Sequence, residues 1–295
     1  YAFYLKQLFI FSRIDFKGIV SAKGIMRYSM FLFVAALAFY YTSNVDQIML
    51  GAMLGLESNA VYSIAFFIGT MIQIPGRAMN QVALPIITDG WKRNDLKQLQ
   101  NLYTQTSLNQ LIIGGFIFLV VWINLDLLLS FLSEEYQEVH ILVIIVGLGK
   151  LFDLATGVNG EMLALSKHSK VTMVTNVILI VVSTLANFLL IPVWGIAGSA
   201  LATALSLILY NAIRMTFLYK KYGLQPFSTN TWKALLLLIA GFAAYYVLPL
   251  TENRWFNGFY QTAFVTILMV ASLIYFRISP DIMASYHWLR NKLNL

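Results

Sequence analysis

The chain contains 295 residues, of which 59% are hydrophobic and 11% charged, and its formal net charge is +7. Because soluble domains are about one quarter charged, so much apolar surface requires lipid as its solvent, which excludes an ordinary soluble globule. The absence of cysteine excludes disulfides and thiolate chemistry, and the three histidines match no zinc-binding spacing. We therefore predict no catalytic residue, metal or cofactor. The basic residues cluster at the ends of apolar segments, as membrane orientation requires, so no nucleic-acid partner is predicted.

Eight apolar segments follow one another along the chain, and each is long enough to approach or cross a bilayer as a helix. In chain order they cover residues 25–45, 60–86, 104–125, 139–163, 171–191, 196–219, 233–250 and 256–276. No soluble insert separates them. The sequence therefore predicts an all-α polytopic transmembrane helix bundle with about eight spans.

Positive charge alternates between successive connections of these spans. Seventeen of the twenty Lys and Arg residues fall in the segments 1–27, 88–101, 164–170, 214–233 and 277–295. The intervening connections carry acidic residues and only one cation, Arg254. Since basic connections stay in the cytoplasm, both ends of this chain are predicted to be cytoplasmic.

The second span carries a polar stripe inside an apolar helix. Gln73, Arg77, Asn80 and Gln81 share one face at spacings of four, seven and eight residues. An arginine in such a stripe suits an anionic ligand such as a phosphate, because its planar guanidinium offers several donors. The alternative is that Arg77 extends toward the lipid headgroups.

The fourth span carries a second polar stripe. On a continuous helix, Lys150, Asp153, Gly157 and Glu161 fall within a sector of about 80°. Lys150 and Asp153 are spaced for a local ion pair, which is the alternative to a functional role. Glu161 has no local partner, and exposure to water near the basic side is its alternative.

Ionisable residues within spans are costly unless they face a protein interior or a hydrated cavity. Asp153 and Glu161 are therefore candidates for coupling transport to H⁺ or Na⁺. Asp46, at the end of the first span, is a third candidate, and its alternatives are an interfacial acid or a packing partner.

Three stretches resemble motifs of bacterial polysaccharide flippases, a branch of the multidrug, oligosaccharidyl-lipid and polysaccharide exporter superfamily. Residues 191–203, IPVWGIAGSALAT, resemble the signature Pro-x-aromatic-Gly-Ile-x-Gly followed by small residues. Residues 157–167, GVNGEMLALSK, resemble a turn that in the family usually has Gly where Ser166 stands. Residues 45–51, VDQIMLG, with 60–63, AVYS, resemble the entry of the family's second half, where Ala60 replaces the usual Gly.

The resemblance implies the second lobe and two C-terminal helices of a fourteen-span flippase in the bacterial inner membrane. Residues 1–24 would be a cytoplasmic basic loop, 25–219 a six-helix lobe, and 220–295 two further spans and a cytoplasmic tail. A missing N-terminal lobe is then expected in the full-length protein.

The resemblance also implies a cargo. Such flippases move a lipid-linked oligosaccharide, usually on undecaprenyl diphosphate, across the membrane by alternating access for O-antigen, lipopolysaccharide or capsule synthesis. Arg77 corresponds to a basic position of the family and would contact the diphosphate together with Lys150. Gln73, Asn80 and Gln81 would join them in binding substrate, and membrane lipids are the other expected partners.

Three alternative functions stay open at this point. A multidrug extrusion antiporter is one, although the cations Arg77 and Lys150 disfavour organic-cation cargo. A membrane glycosyltransferase or polymerase is another, although the short acidic connections leave little room for a catalytic domain. A partner subunit that does not itself transport is the third.

Overall fold

The computed structural model describes residues 22–131, 139–249, 251 and 253–292. Every regular element among them is a helix, which confirms the predicted all-α membrane bundle. In chain order the helices are α1 Ala22–Leu54, α2 Leu56–Arg93, α3 Leu96–Ile123, α4 Leu125–Leu129, α5 Val139–Ala155, α6 Asn159–Ala164, α7 Ser169–Tyr222, α8 Thr229–Val247, α9 Arg254–Tyr275 and α10 Pro280–Lys292. The predicted basic loop 1–24 lies almost entirely outside the described residues.

The chain divides into two compact units, Tyr1–Asn44 and Val45–Leu295. The described part of the first unit is the N-terminal portion of α1, where the side chains of Met26, Met30 and Phe33 are exposed. The second unit contains the rest of α1 and all the other helices. All the sites described below lie within the second unit.

Local sequence signals set the helix ends. Asn94, which has the left-handed conformation, follows the last residue of α2. The Asp95 carboxylate then caps α3 by accepting a hydrogen bond from the backbone N–H of Gln98. Ser228 and Thr231 form a reciprocal capping box at the start of α8. These polar caps satisfy the backbone groups that a helix end leaves without partners.

The 54-residue element α7 is a hairpin of two antiparallel helices. Gly195 has φ 56° and ψ −133°, a conformation open to glycine but not to other residues, and it is the point of reversal. The Ser199 hydroxyl donates to Asn187 Oδ1 at 2.7 Å, and the Tyr210 hydroxyl donates to Asn176 Oδ1 at 2.9 Å. Contacts over such sequence separations require the two halves to run side by side, as the two predicted spans 171–191 and 196–219 do.

The prediction of one continuous helix over 139–163 is wrong. α5 ends at Ala155 and α6 begins at Asn159, with Gly157 between them at φ 59°. A Cβ on Gly157 would lie 2.8 Å from the Ser107 backbone nitrogen, so α3 passes too close for any larger residue. The single 80° stripe therefore does not exist, because Lys150 and Asp153 lie on one helix and Glu161 on another.

The basic connections meet at one end of the bundle. Gln100, near the start of α3, bonds to Gln225 beyond α7, and the Trp91 indole donates to the Met162 carbonyl. His168, before α7, bonds to the hydroxyl of Tyr222. We call this the basic end. It carries exposed cations on three connections: Lys92, Arg93, Lys167, Lys170, Lys220 and Lys221.

The connections at the opposite end, the acidic end, also come together. Asn124, after α3, donates to Thr262 on α9 at 2.8 Å, and His140 contacts Asp126 at 2.7 Å. The alternation read from the sequence is thus a real segregation of charge between the two ends of the bundle. The assignment of the basic end to the cytoplasm stays a prediction.

Among the described residues, four helices are long and apolar enough to cross a membrane: α3, α7, α8 and α9. They define a multi-pass membrane protein. The other predicted spans correspond to α1, α2 and the pair α5–α6, and the count of eight stays a prediction.

Candidate functional site: a buried polar seam beside an apolar groove

Three groups of hydrogen-bonded polar side chains follow one another along α2, with partners on α1, α3, α5, α6 and α7, and we call them together the polar seam. Its members are Asp46, Tyr62, Gln73, Asn80, Gln110, Asp153, Thr156, Asn159, Glu161, Thr203 and Asn211. Buried polar groups need such partners because an unsatisfied one costs a few kcal/mol.

Asp153 occupies the middle of the polar seam. Its two carboxylate oxygens accept hydrogen bonds from Gln73 at 2.6 Å and from Asn211 at 2.8 Å. Thr156 and Asn159 in turn donate to the side-chain Oδ1 atom of Asn211. Asp153 therefore joins α2 to α7, and it forms no ion pair with Lys150 within the described part of the chain.

Glu161 lies toward the basic end of the polar seam. It accepts a hydrogen bond from Asn80 Nδ2 at 2.8 Å, and Asn80 Oδ1 accepts one from the buried Gln110 at 2.6 Å. Glu161 has no local partner, as expected, but its half-buried side chain is bonded to a helix distant in sequence and is not simply exposed to water, the alternative weighed for it. A local spacing rule does not find such a contact.

Asp46 lies toward the acidic end of the polar seam and is only 3% exposed. The Tyr62 hydroxyl donates to its Oδ2 atom at 2.5 Å, and the Thr203 hydroxyl donates to the same atom at 3.1 Å. The Gln47 amide donates to the other oxygen. Asp46 is thus an interior carboxylate held by hydroxyl groups and not an interfacial acid.

The break between α5 and α6 is satisfied internally. The Ser107 hydroxyl on α3 donates to the Ala155 carbonyl at 2.5 Å, and the Thr156 hydroxyl donates to the Asp153 carbonyl at 2.7 Å. Non-helical backbone at membrane depth survives only when protein buries it in this way. Discontinuous helices of this kind line the binding sites of many transporters.

The predicted substrate-binding residues divide into two groups. Gln73 and Asn80 are hydrogen bonded inside the polar seam, whereas Arg77 and Gln81 of the same helix are exposed and have no partner among the described residues. The four residues predicted to share one face of α2 therefore form two pairs, one that is hydrogen bonded inside the polar seam and one that is exposed outside it.

Lys150 differs from the rest of the polar seam. Its stem packs against Gly69, and its ammonium lies 5.4 Å from the centroid of the Phe66 ring. Within the part of the chain that the structure describes, the ammonium has no hydrogen bond or ion pair. A partly buried cation of this kind has unused donors for an anionic group.

Arg214 is the interior cation that the sequence analysis missed. It was counted with the basic connection 214–233, yet it is only 6% exposed. Its guanidinium donates to Thr175 and Asn176 and lies 3.8 Å from the centroid of the Tyr210 ring. The sequence signal that could have found Arg214 is its spacing from Asn211, because residues three apart share a face of the apolar sixth span.

An apolar groove of about 820 Å³ lies on the other side of α5. It runs between α3, α5 and α8, and its lining is almost wholly apolar, including Leu111, Phe118, Leu148, Phe152, Leu235 and Phe242. α5 thus presents Lys150 and Asp153 on one face and the groove on another. Among the described residues, no three His, Asp or Glu side chains form a group that would hold a metal ion.

Comparison with known proteins gives two matches. Residues 1–91 match the family model described as "Polysaccharide biosynthesis protein". Over 188 residues the chain is 24% identical to the "Probable low-salt glycan biosynthesis flippase Agl15" of Haloferax volcanii. That alignment covers 63% of this chain, and the chain spans 40% of the length of that relative. No solved structure matches the chain significantly.

The fold and the polar interior define the class, a multi-pass helical membrane protein. The two matches confirm the resemblance to polysaccharide flippases that the sequence motifs predicted. The predicted arrangement of fourteen spans stays a prediction.

Proposed function

We propose that the chain takes part in moving a lipid-linked oligosaccharide across a membrane by alternating access. The observation that carries this proposal is the placement of opposite environments on α5. Asp153 is hydrogen bonded within the polar seam and Lys150 packs against Phe66 of α2, while Leu148, Leu151 and Phe152 line the apolar groove. An amphiphilic cargo with a diphosphate and sugars on one side and a hydrocarbon chain on the other requires both environments.

Lys150 and Arg77 are the residues proposed to contact the diphosphate. Neither cation has a hydrogen bond or an ion pair among the described residues, and each offers several N–H donors. Gln73 and Asn80 are proposed to act indirectly, because their amides already hold Asp153 and Glu161. Gln81 is exposed one turn beyond Arg77 and is proposed to contact cargo directly.

The cellular setting follows the same proposal. The chain would lie in the bacterial inner membrane with its basic end in the cytoplasm, and it would serve surface polysaccharide synthesis such as that of O-antigen or lipopolysaccharide. The similarity to a glycan biosynthesis flippase supports the glycan part of the cargo.

Coupling to H⁺ or Na⁺ is proposed for Asp46, Asp153 and Glu161. Asp46 is the strongest of the three, because only hydroxyl groups and one backbone amide hold its buried carboxylate. Asp153 and Glu161 each accept from a carboxamide, which ties them to the packing of α2. In proteoliposomes, Asp46→Asn is expected to abolish any dependence of transport on a proton or sodium gradient, and an unchanged dependence would exclude Asp46.

The function is tested by transport of a fluorescent short-chain polyprenyl diphosphate saccharide in proteoliposomes. Wild-type protein is expected to expose the probe to an external quencher faster than empty vesicles do. Lys150→Met is expected to lower the rate at least about 10-fold, since charge-assisted hydrogen bonds contribute roughly 1.5–3 kcal/mol. Lys167→Met, an exposed cation at the basic end, is the matched control. Equal rates for wild-type protein and empty vesicles would overturn the proposed function.

A further inference from the structure

A second polar site lies outside the polar seam, between the end of α2 and the first half of α3. Two adjoining cavities of about 450 Å³ and 310 Å³ share Ile86, Leu102 and Gln105 in their linings. The larger opens beside Asp95 and Lys97, and the smaller reaches the start of α10 at Asp281. We call the two cavities together the amide crevice.

Three carboxamides of α3 line the amide crevice on one helix face. Gln98, Asn101 and Gln105 recur at spacings of three and seven residues. No hydrogen bond involves any of these three side-chain amides within the described residues. Each amide therefore offers two donors and an acceptor to whatever enters.

The other three carboxamides of the same helix segment are all engaged. Gln100 donates to Thr104 and to the Gln225 carbonyl at 2.8 and 2.7 Å. Asn109 donates to Asp281 at 2.5 Å, and Gln110 donates to Asn80 at 2.6 Å. Gln100 and Gln110 thus hold the bundle together from other faces of α3, and Asn109, which also lines the smaller cavity, is already bonded to Asp281.

The walls of the amide crevice narrow the choice of ligand. Ile86 and Leu102 provide an apolar surface beside the amides, and the smaller cavity adds Met79 and Val82. A sugar ring presents hydroxyl groups at its edge and C–H groups on its face, so it matches amides placed next to aliphatic side chains. Lys97, at the mouth, is positioned for an acidic sugar or a phosphate.

We propose that the amide crevice binds the saccharide part of the cargo at the basic end before transport. This inference rests on the proposed function, because it assigns the sugars of the same cargo to a second subsite. Arg77 supports the assignment, since it is exposed and immediately precedes Ala78, which lines the smaller cavity. A diphosphate near Arg77 would place the first sugars beside α3.

The test measures binding to purified protein in nanodiscs with three kinds of probe. Two are polyprenyl diphosphates bearing N-acetylglucosamine or galactose, the third is the bare polyprenyl diphosphate, and competition by phosphatidylglycerol is measured in parallel. Wild-type protein is expected to bind at least one sugar-bearing probe about 10-fold more tightly than the bare one, as two or three neutral hydrogen bonds would give.

The decisive variant is the triple substitution Gln98→Ala, Asn101→Ala and Gln105→Ala. This variant is expected to bind the sugar-bearing probes no more tightly than the bare diphosphate, and its affinity for the bare diphosphate should equal that of wild-type protein. Asn230→Ala is the matched control, because this residue at the start of α8 has no hydrogen bond among the described residues and lies outside the amide crevice. It is expected to bind all three probes as wild type does.

Four outcomes overturn the inference. In the first, the triple variant still binds sugar-bearing probes more tightly than the bare diphosphate. In the second, wild-type protein binds the bare diphosphate and the sugar-bearing probes equally well. Either result removes the saccharide subsite and leaves the proposed function intact. Loss of phosphatidylglycerol competition alone in the triple variant would make the amide crevice a phospholipid site. Failure of wild-type protein to bind any polyprenyl diphosphate would instead count against the proposed function as well.

Discussion

The polar seam and the amide crevice contain the same chemical groups but use them in opposite ways. In the polar seam, Gln73 and Asn211 donate hydrogen bonds to the Asp153 carboxylate from two different helices. In the amide crevice, Asn101 and Gln105 line open space with their amides unengaged. The difference separates polar residues that specify the packing of the bundle from polar residues available to a ligand, a distinction that residue type alone does not make.

The largest expected effect on stability comes from breaking the polar seam at its centre. Asp153→Ala is expected to lower the free energy of unfolding by about 3 kcal/mol, because the half-buried Gln73 amide loses its acceptor and the buried Asn211 amide keeps only the Leu207 carbonyl. Asn101→Ala in the amide crevice is expected to change it by less than about 0.5 kcal/mol. Reversible denaturation in mixed micelles measures both, and equal effects would remove the distinction between the two regions.

The break between α5 and α6 gives the second effect. Gly157→Ala is expected to destabilise by about 2 kcal/mol, since it adds backbone strain and a contact with the Ser107 backbone. Gly223→Ala is the control, because Gly223 also has positive φ but faces open space, so only the strain of about 1 kcal/mol remains. Melting temperatures of the two variants test whether Gly157→Ala is the more destabilising. A larger fall in melting temperature for Gly223→Ala would contradict the prediction.

The third effect concerns the buried cation that joins the two halves of the hairpin. Arg214→Lys keeps the charge but loses the fork that reaches Thr175 and Asn176 and the planar contact with Tyr210. A loss of about 1–2 kcal/mol is expected. Lys221→Arg, at the exposed end of the same helix, should be neutral. Thermal stability that is the same in all three proteins would show that charge alone suffices at position 214.

The smallest effect on stability is expected at Lys150. Lys150→Met removes a cation that has no hydrogen bond or ion pair within the described residues, so the free energy of unfolding should change by less than about 1 kcal/mol. Transport should nevertheless fall. Chemical denaturation and the quenching assay on one preparation measure both quantities. A large loss of stability would place Lys150 with the packing residues of the polar seam.

Much of the fold follows from the sequence because hydropathy and loop charge report directly on lipid solvation. The segregation of Lys92 and Lys167 from Asp126 between the two ends of the bundle is one example. The break at Gly157 was not found, since it depends on the close passage of α3, a contact between residues distant in sequence.

The candidate site was only partly predictable for the same reason. Asp153 and Glu161 stood out as charges in an apolar span, but their partners Gln73 and Asn80 come from α2. Arg214 was missed because it was counted with the basic segment 214–233. How deeply a residue is buried depends on the length and tilt of its helix, and the number of charges in a segment gives neither.

The reversal at Gly195 has a consequence for biosynthesis. A single residue joins the two halves of α7, so no hydrated loop exists that the insertion machinery could hold on the far side while the second half is made. We expect the two helices to enter the bilayer together as a pair. A segment of hydrophilic residues inserted at this point would convert that joint entry into two separate events, and misoriented molecules should accumulate.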